Sequence, residues 1–137
     1  MEQPSTLHPW YRRWFGSRSE RAARRYLRRH GHQILKCNWQ SSSGEIDLIT
    51  LHHQTIVFVE VRSTEQPTTE RPAFSVDERK QKQLSHLAVE FMHRYRLLAY
   101  PARFDVILIS WPYRRWWPVI EHLPNAFSAK GQFAPFS

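Results

Sequence analysis

The stretch GEIDLITLHHQTIVFVEVRST, residues 44–64, places two acids and a cation among apolar residues. Asp47 and Glu60 each interrupt an apolar run, and Arg62 follows Glu60 by two positions. Two close carboxylates in an apolar setting repel each other, and a divalent cation such as Mg²⁺ or Mn²⁺ removes that conflict by accepting their oxygens as ligands. A nearby cationic side chain can offset charge on an attacked phosphate. These residue types therefore suit the hydrolysis of a phosphodiester bond.

The order of the residues predicts that these side chains meet. If HHQ (52–54) forms a hairpin turn, Asp47 lies opposite Val59 or Glu60, on a strand about 4.8 Å away. Glu60 and Arg62 then project from the same face of their strand. The same arrangement could be an internal salt bridge that fixes strand register, and the spacing alone leaves that alternative open.

Glu20 is a further candidate for this site. It precedes Ala23 by three positions and Leu27 by seven, so it lies on the apolar stripe of a predicted helix, where an acid needs a partner. Ser17, three residues before it, offers the alternative of a capping box. A role in the site and a role in capping both stay open.

Two helices and five strands are predicted to position these residues. One helix is predicted over 17–31, from a capping box to Gly31, and a second over 75–98, from another capping box. Strands are predicted at 33–39, 45–51, 55–61, 103–110 and 116–123, the third in mid-sheet and the last at an edge because of Pro118. The order α-β-β-β-α-β-β predicts an α/β fold of three layers, with helices flanking one mixed central sheet.

Apolar residues at helical spacing define the faces that we expect to be buried. They are Ala22, Ala23, Tyr26 and Leu27 in the first helix, and Leu84, Leu87, Ala88, Phe91 and Tyr95 in the second. Cys37, the only cysteine, excludes an internal disulfide and is predicted to be a small core residue.

One domain is predicted over residues 16–127. Residues 1–15 form a basic and aromatic arm, residues 63–74 a polar loop, and residues 128–137 a loose tail. The segment WPYRRWWP (111–118) could stack on DNA or form a dimer surface. The chain shows neither a signal peptide nor an apolar run of about 18 residues, so we expect a cytoplasmic protein that makes no membrane contact.

The charge of the chain favours an anionic partner. Its 137 residues carry 20 Lys and Arg against 12 Asp and Glu, a net charge of +8, with a pI near 10.3. A small basic protein is drawn to polyanions, most often nucleic acid, although a GC-rich genome could produce the arginine bias without any such ligand. The predicted nucleic-acid contacts are Arg21, Arg24, Arg25, Arg28 and Arg29 on one helix face, with Lys80 and Lys82 at the start of the second helix.

Three histidines raise a metal hypothesis of another kind. His52, His53 and His122 are potential zinc ligands, but His52 and His53 fall at the predicted hairpin tip, far from Asp47 and Glu60. We therefore interpret His52 and His53 as exposed turn residues.

Six ordered blocks of the sequence resemble the YraN family, also called UPF0102. The blocks are SERAARRYLRRHGHQILKCNWQ, GEIDLI, FVEVR, DERKQKQL, RFDVILI and IEHLPNAF, spanning about residues 16–127. That family is similar to Holliday junction resolvases and other PD-(D/E)xK nucleases of the restriction-endonuclease-like fold. The resemblance implies that Asp47 and Glu60 are the metal ligands and that Glu20 is the helical acid that many resolvase-like members add.

Arg62 stands where the motif of these nucleases usually has lysine. Arginine stays protonated and cannot act as a general base, although it can bind a phosphate oxygen or stabilise a transition state. Cleavage could therefore use Arg62 electrostatically, or a lysine from elsewhere (Lys36, Lys80 or Lys82) could reach the site. In the third alternative the protein binds DNA without cutting it.

The sequence as a whole predicts a DNA-binding protein with Mg²⁺- or Mn²⁺-dependent endonuclease activity at Asp47, Glu60, Arg62 and Glu20. A non-catalytic DNA-binding protein and a protein-interaction domain are the alternatives. Branched DNA is a candidate substrate, and a homodimer stays open because cutting both strands of a junction calls for two sites.

Overall fold

The computed structural model describes residues 9–64, 75–112 and 117–129, with the backbone alone described for residues 9–17 and 64. The arm at 1–8, most of the polar loop, residues 113–116 and almost all of the predicted tail lie outside the described residues. The elements are α1 (Pro9–Arg29), β1 (Gln33–Ser41), β2 (Gly44–His52), β3 (Thr55–Thr64), α2 (Glu78–Arg94), β4 (Ala102–Ser110) and β5 (Val119–Phe127).

The strands form one five-stranded sheet in the order β1-β2-β3-β4-β5. Neighbouring strands are antiparallel except β3 and β4, which run parallel and are connected through α2. The apolar strand β3 therefore lies in the middle and β5 at an edge, as the sequence predicts. The mixed α/β fold with the order α-β-β-β-α-β-β is confirmed.

Each face of the sheet carries its own apolar core. Ile49, Phe58 and their neighbours pack against Leu87 and Phe91 of α2, which we call the α2-side core. Leu48, Val59 and Ile107 are among those that pack against Ala23 and Leu27 of α1, which we call the α1-side core. Since β3 contributes alternate residues to both cores, its residues 56–59 are buried on both faces of the sheet.

Helix α1 begins earlier than the sequence predicts. It starts at Pro9, so Ser17 lies inside the helix and the predicted capping box with Glu20 is wrong. The predicted end is confirmed: the helix ends at Arg29, and Gly31 follows with a φ of 88°. The N–H groups of Gly31 and His32 donate to the Arg28 and Leu27 carbonyls, which satisfies two of the last carbonyls of the helix.

Helix α2 begins at Glu78 rather than Ser75. Its N-cap is Asp77, whose side chain accepts a hydrogen bond of 2.8 Å from the Lys80 N–H, so the predicted Ser75 capping box is also wrong. The helix ends at Arg94 rather than near Leu98. Its predicted buried stripe is confirmed except for Tyr95, which is 41% exposed.

Two further expectations differ from the structure. Cys37 is exposed on the edge strand β1 and does not lie in the core. Strand β5 covers 119–127 rather than 116–123 and includes Pro124. Pro124 is tolerated because β5 is an edge strand, where a missing backbone donor need not break a ladder. Neither α1 nor α2 combines the length and the apolar character that crossing a membrane requires, within the described residues.

Candidate functional site

The β2–β3 hairpin brings Asp47 to the point where its two strands separate. His53 and Gln54 form a two-residue turn with φ of 47° and 66°, and the pairs then run from His52↔Thr55 to Leu48↔Val59. One further pair would set Asp47 against Glu60, but the ladder ends before it. The predicted register is therefore correct, and the two acids lie just past its last pair.

The carboxylate of Asp47 accepts a backbone hydrogen bond from β3 where the β2–β3 ladder has ended. Its Oδ2 accepts a hydrogen bond of 2.8 Å from the Val61 N–H. Side-chain alternation also breaks here, because Ile46 and Ile49 both pack in the α2-side core while Leu48 packs in the α1-side core. Asp47 is thus held at an irregularity of the sheet, next to the backbone of β3.

Strand β1 has a matching irregularity. Asn38 falls between the pairs Cys37↔Leu48 and Trp39↔Ile46, so it is level with Asp47, and its φ is 52°. Asn is among the few residues that adopt this left-handed conformation readily.

Burial and crowding by other acids perturb Asp47 strongly. Burial raises the pKa of Asp47 from 3.8 to about 7, and the negative charge of Glu60 adds to the increase. The Val61 N–H lowers the pKa in part, while Glu20 and Glu45 raise it further. A carboxylate that is hard to ionise at neutral pH, with other acids around it, is an arrangement that a bound cation would relieve.

Glu20 approaches the same place from α1. Burial raises its pKa, a hydrogen bond from the Asn38 side chain lowers it, Glu45 raises it and Arg24 lowers it. Because the capping box is absent, the partner of this half-buried acid is Asn38 on β1. The helix and the edge strand therefore meet beside Asp47.

Two cationic side chains lie close to the Glu60 carboxylate. Its Oε2 lies 4.0 Å from Arg62 Nε and 3.9 Å from Lys80 Nζ, and its side chain is 16% exposed. Arg62 Nη1 also donates a hydrogen bond of 2.6 Å to the Ser75 carbonyl. Of the three lysines that the sequence offers as substitutes, Lys80 is the one that the structure places beside an acid of the site, whereas Lys36 lies over the Tyr95 ring and Lys82 is exposed.

We call the four acids Asp47, Glu60, Glu20 and Glu45 the acid cluster. Sequence reasoning missed Glu45, and it also missed Asn38, which hydrogen-bonds Glu20. Glu45 is exposed, accepts a hydrogen bond of 3.1 Å from Gln40 Nε2, and acts on both Asp47 and Glu20. Its position two residues before Asp47 was a signal that could have found it. Asn38 carried no such signal, because its role depends on an irregularity of the sheet. In the described ranges, no three His, Cys, Asp or Glu side chains are grouped so as to hold a metal ion by themselves.

The predicted nucleic-acid contacts lie on the surface of α1 and α2. Arg21, Arg25, Arg28 and Arg29 are exposed, and Arg24 is half-buried near Glu20. The row of exposed arginines continues along α1 from the site to the end of the helix.

A second polar network lies elsewhere in the sheet, around Asp105. Asp105 is 1% exposed and accepts hydrogen bonds from Arg103 Nε (3.0 Å), His122 Nε2 (2.8 Å) and the Asn125 N–H (2.9 Å). Burial alone would raise its pKa, but these hydrogen bonds outweigh burial and hold the pKa below its usual value. The Tyr26 hydroxyl hydrogen-bonds His122 Nδ1 at 3.2 Å, so the network ties α1 to β4 and β5.

The histidines thus have structural partners. His52 contacts Arg103 Nη2 through Nδ1 at 3.3 Å and stacks on His32, whereas His53 is exposed in the turn. Burial lowers the pKa of His32 to about 4. The expectation that both hairpin-tip histidines are exposed is therefore correct for His53 and only partly so for His52.

Comparison with known sequences gives one consistent family. The sequence model described as "Uncharacterised protein family UPF0102" matches residues 19–109. The chain is 41% identical over 112 residues to a UPF0102 protein of Geobacter metallireducens, covering 82% of this chain and 90% of that protein. It is 39% identical over 119 residues to one of Rhodopirellula baltica, covering 85% and 71% of the two chains. A UPF0102 protein of Treponema pallidum is 39% identical over 121 residues, covering 87% and 96%. The chain therefore belongs to the UPF0102 family.

Proposed function

We propose that this protein binds DNA and hydrolyses its phosphodiester bonds with Mg²⁺ or Mn²⁺ held by Asp47 and Glu60. The observation that carries the proposal is the position of Asp47 and Glu60 just past the last pair of the β2–β3 ladder, where Asp47 accepts the Val61 N–H. The raised pKa of Asp47, which burial and the charges of Glu60, Glu20 and Glu45 produce together, supports it. Strongly perturbed groups of this kind are characteristic of functional sites.

The donor set suits a hard cation. Asp47 and Glu60 offer carboxylate oxygens, and Mg²⁺ commonly uses one or two carboxylates together with water and a substrate phosphate. In the described ranges no three acidic, histidine or cysteine side chains are grouped as ready metal ligands, so water and the substrate phosphate would have to complete the shell. When bound there, the cation would supply charge neutralisation at the phosphate and lower the pKa of its water.

Lys80 is the candidate for the role that lysine has in the nucleases that this chain resembles. Its Nζ lies 3.9 Å from Glu60 Oε2, close enough for it to orient a water beside that carboxylate. Arg62 stays charged and is bonded to the Ser75 carbonyl, so its part is electrostatic. Asn38 holds Glu20 in place near Asp47.

The exposed arginines of α1 supply the grip on DNA. Arg21, Arg25, Arg28 and Arg29 present charge to the solvent along one helix. Such contacts with phosphate give affinity without reading sequence, and they make binding depend strongly on salt.

A DNA-binding protein that does not cut is the second candidate, and the contacts of Arg62 favour it. Arg62 stands in the usual place of lysine, lies 4.0 Å from Glu60 and donates to the Ser75 carbonyl. In this alternative the acids and cations of the hairpin form an internal ion-pair network, and the protein uses its basic surface alone.

Cleavage of branched, linear and single-stranded DNA in the presence of Mn²⁺ separates the two candidates. Asp47→Ala should abolish cleavage, and Arg62→Lys should keep or increase it. Lys80→Met should lower kcat by about a hundredfold or more. The matched variant Lys82→Met should raise KM with kcat nearly unchanged, since Lys82 is exposed two positions further along α2. Cleavage that survives Asp47→Ala would refute the proposed site.

Two binding measurements test the parts of the proposal that need no cleavage. Calorimetry should show that the native protein binds Mn²⁺ and that Asp47→Asn does not. If the native protein does not bind Mn²⁺, the non-catalytic candidate is favoured. DNA affinity should fall steeply between 50 and 200 mM salt. A flat or absent response would point instead to a protein-interaction domain.

A further inference from the structure

The end of α2 exposes rings and cations together. Tyr95 is 41% exposed, Leu98 50% and Tyr100 42%, and these are three of the four exposed large apolar side chains of the described residues. Arg94, Arg96 and Lys36 lie among or beside them, and each is exposed. We call these six residues the α2-end surface.

The helix ends here in a conformation that normally belongs to glycine. The N–H groups of Leu97 and Arg96 donate to the Met92 and His93 carbonyls at 2.7 and 3.3 Å, and Arg96 has a φ of 58°. The end of α1 has the same two hydrogen bonds, but Gly31 occupies the corresponding position. Glycine adopts a positive φ without steric conflict, whereas arginine does not. The chain therefore keeps an arginine where its own other helix uses glycine.

Backbone conformations of this kind cluster at functional sites, so the Arg96 side chain is a candidate for a functional contact. In the ranges 9–64, 75–112 and 117–129, no carboxylate lies within salt-bridge distance of Arg96. Lys36 Nζ lies 5.2 Å from the centre of the Tyr95 ring, and Arg94 Nη2 lies 3.9 Å from Glu90. The surface as a whole has more positive than negative charge, so an anionic partner would complement it.

The combination of rings and cations selects among anionic partners. Bases stack on exposed aromatic rings while cations contact the phosphates, and this mode suits a single strand, whose base faces are uncovered. A duplex hides those faces inside its own stack. A second copy of this chain related by two-fold symmetry would set Lys36, Arg94 and Arg96 against the same cations of its partner.

We propose that the α2-end surface binds single-stranded nucleic acid. This inference rests on the proposed function in so far as DNA is the ligand, and it adds the structural class of that DNA. Helix α2 has 17 residues and is about 25 Å long; Lys80 near its start contacts Glu60, and the α2-end surface lies at its other end. Arg94 also lines an open groove between α2 and the β1–β2 turn. A DNA molecule with a duplex part at the acid cluster and an adjoining single strand on the α2-end surface would contact both of these sites.

Fluorescence anisotropy with a labelled oligothymidylate and a blunt duplex of equal length tests the inference. Both are titrated in EDTA, so that binding is measured without cleavage or metal. Arg96→Gly and Tyr100→Ala should each weaken binding of the single strand by about tenfold and binding of the duplex by less than about twofold. Arg25→Ala, on the exposed face of α1, should weaken binding of the duplex at least as much as binding of the single strand.

Arg96→Gly has a second readout that separates loss of function from loss of folding. Because glycine relieves the strain at this position, the variant should unfold at a higher urea concentration than the native protein while binding the single strand less well. Unchanged single-strand affinity in both variants would overturn the inference, as would a dimer that Leu98→Asp dissociates. If the native protein binds only the duplex, this inference fails alone, and if it binds neither probe, the proposed function fails with it.

Discussion

Substituting Asp47 by Asn should stabilise the protein at alkaline pH. Asn has nearly the same shape and its amide oxygen can still accept the Val61 N–H, but it cannot ionise. In the native protein the pKa of Asp47 is raised from 3.8 to about 7, so the folded state binds a proton more tightly than the unfolded state does. Stability is therefore lost as the pH rises from 3.8 through 7, and the full loss is present above pH 7.

The size of the effect follows from the pKa shift. A rise from 3.8 to about 7 corresponds to up to about 4 kcal/mol in the free energy of unfolding. Asp47→Asn should therefore be more stable than the native protein by several kcal/mol above pH 8, and nearly equal to it near pH 4. Urea denaturation followed by tryptophan fluorescence measures both values, since the buried Trp39 reports on the α2-side core.

A matched control and a metal titration sharpen this test. Glu78→Gln removes an exposed carboxylate from the first turn of α2 and should change stability by less than about 1 kcal/mol, with no such growth with pH. Mg²⁺ or Mn²⁺ at a concentration 100 times Kd should stabilise the native protein by about 2.7 kcal/mol. The same concentration should leave the stability of Asp47→Asn unchanged. A stability difference between Asp47→Asn and the native protein that is the same at pH 4.5 and 8.5 would refute the reasoning.

Three further substitutions test other parts of the fold. Because the pKa of His32 is lowered to about 4, the free energy of unfolding of the native protein should fall by up to about 3 kcal/mol as the pH falls from 6.5 to 4. His32→Gln has no ionisable group at this position, so its urea midpoint should not fall in this way. Asp105→Asn should destabilise the protein by about 3 kcal/mol at pH 7, because Arg103 and His122 lose the negative charge that they contact; a loss below about 1 kcal/mol in urea denaturation would contradict this. Gly31→Ala should cost about 1 kcal/mol through its φ of 88°, opposite in sign to the change expected for Arg96→Gly, and equal signs in the two urea midpoints would show the comparison of helix ends to be wrong.

Local sequence patterns were enough to predict the order of the elements and the register of the β2–β3 hairpin. Both depend on local patterns: alternation of apolar residues, a short turn at His53 and Gln54, and apolar stripes at helical spacing. The register put Asp47 next to Glu60 because each step of a ladder is fixed once the turn is known. Local patterns failed at the helix starts. Ser17 has good capping chemistry, but a cap forms only where the preceding chain leaves the helix, and here α1 continues back to Pro9.

The packing of the elements against one another sets which distant side chains meet. Lys36, Lys80 and Lys82 were equivalent candidates in the sequence, and the packing of α2 against the sheet set Lys80 beside Glu60. The hydrogen bond between Tyr26 and His122 joins residues 96 positions apart in the chain. The crowding that raises the pKa of Asp47 likewise brings together Glu20, Glu45 and Glu60 from three different elements. Periodicity reports which face a residue occupies, whereas burial and charge at a site depend on everything packed against that face.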